Sequence, residues 1–183
     1  MRPQEQHRVL SVQREFFDSV IYSPMPMPVF YLDRPLRKDV WCYFNDPGLR
    51  KTFMLAIDEH AKIPEMCPSG KALLTGWSGH PMTLDLIDQP DDEIIGKAKE
   101  DIELMIPGFS SWIEEATVFR HPYATARYPL GSYRRILDFH NKANQLKGIS
   151  FVSDLFGGNT MEGAMVSAAA AVRRVCQWGG AAS

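Results

Sequence analysis

Between Gly148 and Ser167 the chain reads GISFVSDLFGGNTMEGAMVS, a short apolar run ending at Asp154, a glycine turn at Gly157 and Gly158, and then a helix signal. Such a string is suited to holding a phosphate-bearing ligand. The first peptide N–H groups of a helix lack intrahelical acceptors, and the helix dipole adds positive potential there. Asn159 or Thr160 can cap this helix, and Asn159 with Glu162 three residues on fits a loose capping box. Gly157, Gly158 and Gly163 allow a ligand or another backbone to come close. Ala164, Ser167, Ala168 and Ala171 are small enough for tight helix packing. The same residues also describe an ordinary capped helix packed on a sheet, because glycine turns often precede helices.

Other chemistry-bearing residues are more scattered. Arg120, His121, Tyr123, Arg127 and Tyr128 form a polar and aromatic loop that suits either substrate contact or simple anchoring by tyrosines. His60, His80, His121 and His140 share no metal-ligand spacing, and no metal site is expected. Ser69 and Ser78 lack the setting of an activated nucleophile. No catalytic residue is assigned. Lys97, Lys99, Glu100, Asp101 and Glu103 read as a solvated helix face. Met25, Met27, Trp41, Tyr43, Phe53 and Trp77 fit a packed core more economically than an apolar pocket.

The elements that must position these residues follow from period and punctuation. Residues 4–20 read as a short helix. Tyr22-Ser-Pro-Met-Pro-Met-Pro28 forbids helix and leads into a strand over 29–32, with the prolines suiting a sheet edge. Strands are expected over 40–45, 52–57, 71–77 and 112–119. Gln89-Pro-Asp-Asp92 starts a helix carrying Ile94, Ile95, Ala98, Ile102, Met105 and Ile106 at helical spacing, and Pro107-Gly108 stops it. Residues 121–131 read as irregular, 132–144 as an amphipathic helix, 148–153 as a strand and 160–178 as a helix. The fold class is α+β: an antiparallel sheet of about five strands with helices on one side, followed by a C-terminal strand–Gly loop–helix unit. The division expected is 1–147 for the sheet domain and 148–183 for the terminal unit.

Composition narrows the possibilities. The 183 residues are 45% hydrophobic and 23% charged, enough apolar material for a real core. A formal net charge of -2 argues against a nucleic-acid or anionic-membrane binder. No apolar run approaches the roughly 20 residues of a membrane span, and the N-terminus lacks a signal-peptide pattern. Three widely spaced cysteines fit no disulfide framework, so a cytoplasmic setting is expected.

The run from Gly148 to Val175 resembles the C-terminal FAD motif of the flavin-containing amine oxidase superfamily, which includes amine oxidases, protoporphyrinogen oxidases and phytoene-desaturase-like enzymes. Upstream, Val20-Ile-Tyr-Ser-Pro24, Asp33-Arg-Pro35, Pro68-Ser-Gly-Lys-Ala-Leu-Leu74, Asp91-Asp-Glu-Ile-Ile95 and Tyr128-Pro-Leu-Gly131 are similar to motifs of the family's substrate domain, in similar order. The resemblance implies FAD as cofactor. It implies cofactor contacts from Asp154, Gly158, Thr160, Met161, Glu162, Gly163 and Ser167, with Asp154 near the ribityl and pyrophosphate. The amides of Met161, Glu162 and Gly163 would lie at the flavin pyrimidine edge and favour the anionic reduced flavin. It implies substrate contacts from Tyr123, Arg127 and Tyr128, and a small apolar substrate.

The chain departs from the family pattern at three places. Ser153 stands where a glycine is expected. Thr160 stands where amine oxidases often place an aromatic residue, which points to the desaturase-like or porphyrinogen-oxidase-like branches. The G-x-G-x-x-G fingerprint and its βαβ unit are missing from these residues. The expectation is therefore a C-terminal part or small subunit that transfers hydride from a substrate C–H bond to flavin and needs a Rossmann partner or N-terminal half to hold FAD tightly. The alternative expectation is a flavin-free binding domain, homodimeric through its exposed docking surface.

Overall fold

The computed structural model describes residues 13–49, 51–146 and 148–180. The chain divides into two compact units, one of Ser23–Ala124 and the other of Met1–Tyr22 together with Thr125–Ser183. The division anticipated at 147/148 falls inside the second of these.

The first unit is built on a five-stranded antiparallel sheet of order β2-β3-β4-β1-β5. Its strands are β1 (Tyr22–Leu32), β2 (Cys42–Phe44), β3 (Leu55–Asp58), β4 (Ala72–Trp77) and β5 (Ile113–Ala126). Val29 pairs with Thr75 and Leu32 with Ala72, while β3 runs from Leu55 opposite Trp77 to Asp58 opposite Leu74. One face of the sheet presents Phe30, Leu32, Ala56, Ala72 and Leu74 to a core shared with Phe53 and Phe109. Helix α4 (Asp91–Met105) closes that core with Ala98 and Ile102, one turn apart on the same side as Ile94. Phe30 and Phe109 meet edge to face at 5.3 Å. Three acidic residues stand in the first turn of α4, where the dipole favours them. The helix ends at Pro107-Gly108, with Gly108 at φ 88°, and Glu103 folds back to accept from the amides of Gly108 (2.5 Å) and Ser110 (2.9 Å). Short helices α2 (Glu59–Lys62) and α3 (Met82–Leu86) complete this unit.

Two strands differ from expectation. The proline stretch belongs to β1 itself, and β1 lies between β4 and β5 rather than at an edge. Its ladder with β4 covers only Val29–Leu32, after the last proline, so none of the missing N–H groups is demanded there. The segment 121–126, read as irregular, continues β5 through Pro122.

In the second unit residues 13–18 form helix α1, and the remainder of the expected 4–20 helix lies outside the described residues except for 19 and 20, which are not helical. Helix α5 (Ser132–Ala143) buries Ile136, Phe139 and Ala143 at i, i+3, i+7 spacing. Phe139 is the centre of this unit's core: it stacks on Phe16 at 4.3 Å and on Phe156 at 5.5 Å, and meets Phe151 edge on at 5.2 Å. Helix α6 (Met161–Gly180) follows a 3-10 turn at Asp154–Phe156. Residues 149–153 carry no strand pairing, although Ser153 itself is extended. A strand needs a ladder partner for its backbone groups. None is present among the described residues, and Ile149 and Val152 are exposed.

Candidate functional site

The anticipated site is the turn that feeds α6. Ser153 is extended and caps the 3-10 turn, its Oγ accepting from the Leu155 amide at 3.1 Å. Asp154 Oδ1 accepts from the same amide at 2.9 Å and from Ser153 Oγ at 3.1 Å. The Asp154 carbonyl accepts from the amides of Gly157 (2.9 Å) and Asn159 (3.1 Å), which tightens the loop. Gly158 and Asn159 are both left-handed, at φ 88° and 59°. Glycine adopts that geometry freely, and asparagine is among the few other residues that tolerate it.

Asn159 is held in place by its side chain and is not a helix cap. Its Nδ2 donates to the Ala126 carbonyl at 2.5 Å, and its Oδ1 accepts from the Tyr128 hydroxyl at 3.2 Å. The Tyr128 hydroxyl also contacts the Leu155 carbonyl at 2.8 Å. Tyr128 stacks on Tyr133 with ring centroids 5.2 Å apart and planes 5° from parallel. Burial pushes the Tyr128 phenol upward, and the neighbouring Tyr133 and Asp154 push it in the same direction. Thr160 provides the cap: its Oγ1 accepts from the Gly163 amide at 2.9 Å. The capping box with Asn159 and Glu162 is replaced by this simpler bond.

The glycines divide by role. Gly157 and Gly163 serve each other: a Cβ on Gly163 would lie 2.6 Å from the Gly157 carbonyl carbon, and one on Gly157 2.7 Å from that of Gly163. Gly158 faces open space, with nothing within 4 Å of where its Cβ would be. Ser167, one turn beyond Gly163, accepts from the Ser153 amide at 3.2 Å and ties α6 to the extended segment.

The structure therefore brings Asp154, Gly158, Thr160, Met161, Glu162, Gly163 and Ser167 into one continuous turn and helix start, with Tyr128 against it. The Gly163 amide is taken by Thr160, while those of Met161 and Glu162 have no intrahelical acceptor by geometry. Asp154, Gly158, Thr160, Met161 and Glu162 are exposed. Arg127 sits beside Tyr128 and lines a small cleft with Phe16, Ser132 and Arg135. Tyr123 belongs to the other compact unit.

Sequence reasoning missed one residue outright. Asp101 is fully buried, not part of a solvated face. Its carboxylate accepts from the amides of Lys51 and Thr52 at 2.9 Å and from the Thr52 hydroxyl at 2.8 Å. Its position three residues after Ala98 and one before Ile102 was the available signal, since that places it at the border of the apolar stripe.

A family model described as flavin containing amine oxidoreductase matches residues 30–176, and the chain belongs to that family. A provisionally assigned protoporphyrinogen oxidase from Exiguobacterium sp. 255-15 is similar in structure, with a TM-score of 0.67 at 15% identity over 91% of this chain. This chain spans 37% of that structure's length. A reduced UDP-galactopyranose mutase overlaps more loosely, with a TM-score of 0.48 at 10% identity, over 72% of this chain and 28% of the other. No curated protein matches the chain. No helix among the described residues is long and apolar enough to cross a membrane.

Proposed function

We propose that the chain is the C-terminal part or small subunit of an FAD-dependent oxidoreductase of desaturase or dehydrogenase type, working with a Rossmann half that supplies the dinucleotide fingerprint. In this reading residues 1–147 provide the substrate-binding sheet and 148–183 the C-terminal FAD motif, with a small apolar substrate and a cytoplasmic setting. The observation that carries it is the open start of α6. Asp154, Gly158, Met161 and Glu162 are each exposed, with no side chain filling the space at Gly158.

These residues fit a flavin. Free helix-start amides favour a ligand edge that gains negative charge, and an exposed carboxylate suits ribityl hydroxyl groups. When bound, the flavin supplies an acceptor for a hydride removed from a substrate C–H bond. The chain's own part is to bind and orient. Thr160 fixes the first turn of α6, Ser167 ties that helix to the segment before it, and Arg127 lies beside the turn for substrate contact, while the Tyr128 hydroxyl is committed to the turn itself.

Exposed apolar side chains on α6 favour a second reading. Met161, Met165, Val166, Val172 and Val175 are all exposed, Met161 at 87%. Such a surface invites cover by another protein or by a second copy. A flavin-free homodimeric binding domain would use it for self-association. Mixing the chain with FAD, followed by gel filtration with light scattering, separates the two. The first reading expects a monomer that elutes without flavin and gains it only with a Rossmann half. A stable homodimer that remains colourless with that half supports the second.

A further inference from the structure

We infer that Tyr128 and Asn159 act together as the positioning pair of the α6 start, with the Tyr128 hydroxyl holding the left-handed Gly158–Asn159 turn in register. The sequence pointed to Tyr128 as a substrate contact, yet its hydroxyl is committed to the turn. It lies 2.8 Å from the Leu155 carbonyl and 3.2 Å from Asn159 Oδ1. The other end of the Asn159 amide donates to the Ala126 carbonyl, two residues before Tyr128 in the chain. The segment 126–128 therefore grips one side chain at both of its polar ends. Stacking on Tyr133, the second residue of α5, fixes the Tyr128 ring from the opposite side.

The turn needs such a grip. Two successive left-handed residues are unfavourable unless their surroundings determine them, and only the first is glycine. Thr160 follows directly and sets the cap of α6 through Gly163. A shift of Asn159 therefore carries the exposed amides of Met161 and Glu162 with it. The functional meaning of this placement rests on the flavin reading above, whereas the grip itself is a property of the chain alone.

The test is residue-resolved amide hydrogen exchange on the full chain without added flavin. Tyr128→Phe keeps the ring and removes the hydroxyl. It should accelerate exchange at the bonded amides of Gly157, Asn159, Gly163 and Ala164 about three- to tenfold, the loss of roughly one hydrogen bond, with α4 and the remainder of α5 unchanged. Asn159→Gly keeps the left-handed geometry, removes the grip and should loosen the same residues. The double variant should exchange faster than either single variant but by less than the product of their effects, because the two share the Tyr128–Asn159 bond while each also removes one of its own. Asn159→Asp keeps an acceptor for the Tyr128 hydroxyl but loses the donor to the Ala126 carbonyl, and should therefore also exchange faster than the parent. Parent-like exchange in Tyr128→Phe, or acceleration spread evenly through α5 and α6, overturns the inference. Failure of the chain to hold flavin with a Rossmann half would instead sink the flavin reading, and leaves these exchange rates as the separate measure of the grip.

Discussion

Gly157 and Gly163 meet backbone to backbone across the turn that starts α6, each occupying the space that a Cβ on the other would need. The contact explains why two of the motif's glycines are required even without a ligand. It also fixes the direction in which α6 leaves the loop, and with it the outward face of Met161 and Glu162.

Gly163→Ala should therefore cost about 1–3 kcal/mol of stability, because the added methyl meets backbone that has no rotamer to yield. Gly96→Ala, in the exposed middle of α4 with open space around it, should stabilise by about 1 kcal/mol through helix propensity. Denaturant titration of both variants checks the pair. Equal effects would mean that the Gly157–Gly163 contact is not tight.

Asp101 anchors the loop after β2 to α4. Removing its carboxylate in Asp101→Ala strands the amides of Lys51 and Thr52, and should cost about 3 kcal/mol. Glu100, one residue away and exposed, pairs with the exposed Lys51 side chain. Glu100→Ala should change stability by less than about 1 kcal/mol. Urea midpoints measured side by side decide whether the two acids differ as burial requires.

His140 is packed against Phe139 and Phe156. Burial lowers its pKa below the usual 6.5, and the charge of Arg174 adds to the effect. The folded state therefore binds fewer protons than the unfolded state between the lowered value and 6.5. Stability is full above the unfolded pKa and is lost as pH falls from about 6.5 toward the folded value. His140→Gln should flatten that part of the profile. Thermal unfolding from pH 7.5 down to 5 provides the comparison, and an unchanged slope would remove His140 from the account.

Much of the fold was legible because its signals are local. The acidic start, the Ile94, Ala98 and Ile102 spacing and the Pro107-Gly108 stop define α4 almost to the residue. The Pro68-Ser-Gly70 turn places the start of β4 just as closely. What escaped depends on partners far along the chain. Residues 149–153 have strand-like composition, but pairing requires a neighbour that composition does not reveal. The reach of β5 to Ala126 was hidden by Pro122, a residue that weakens a strand signal without forbidding a strand. Within the site, Asp154, Thr160 and Gly163 were readable from the motif. Tyr128 gripping Asn159 was not, since nothing in their 31-residue separation shows that they meet.

On the proposed function, the α6 start is one side of a flavin site completed by a Rossmann half. The direct measurement is the flavin-to-protein ratio, from visible absorbance after gel filtration, of this chain co-expressed with such a half. A coeluting complex with flavin near one per chain is expected, and colourless protein when either half is expressed alone. A complex that forms without flavin, or halves that never coelute, would contradict it.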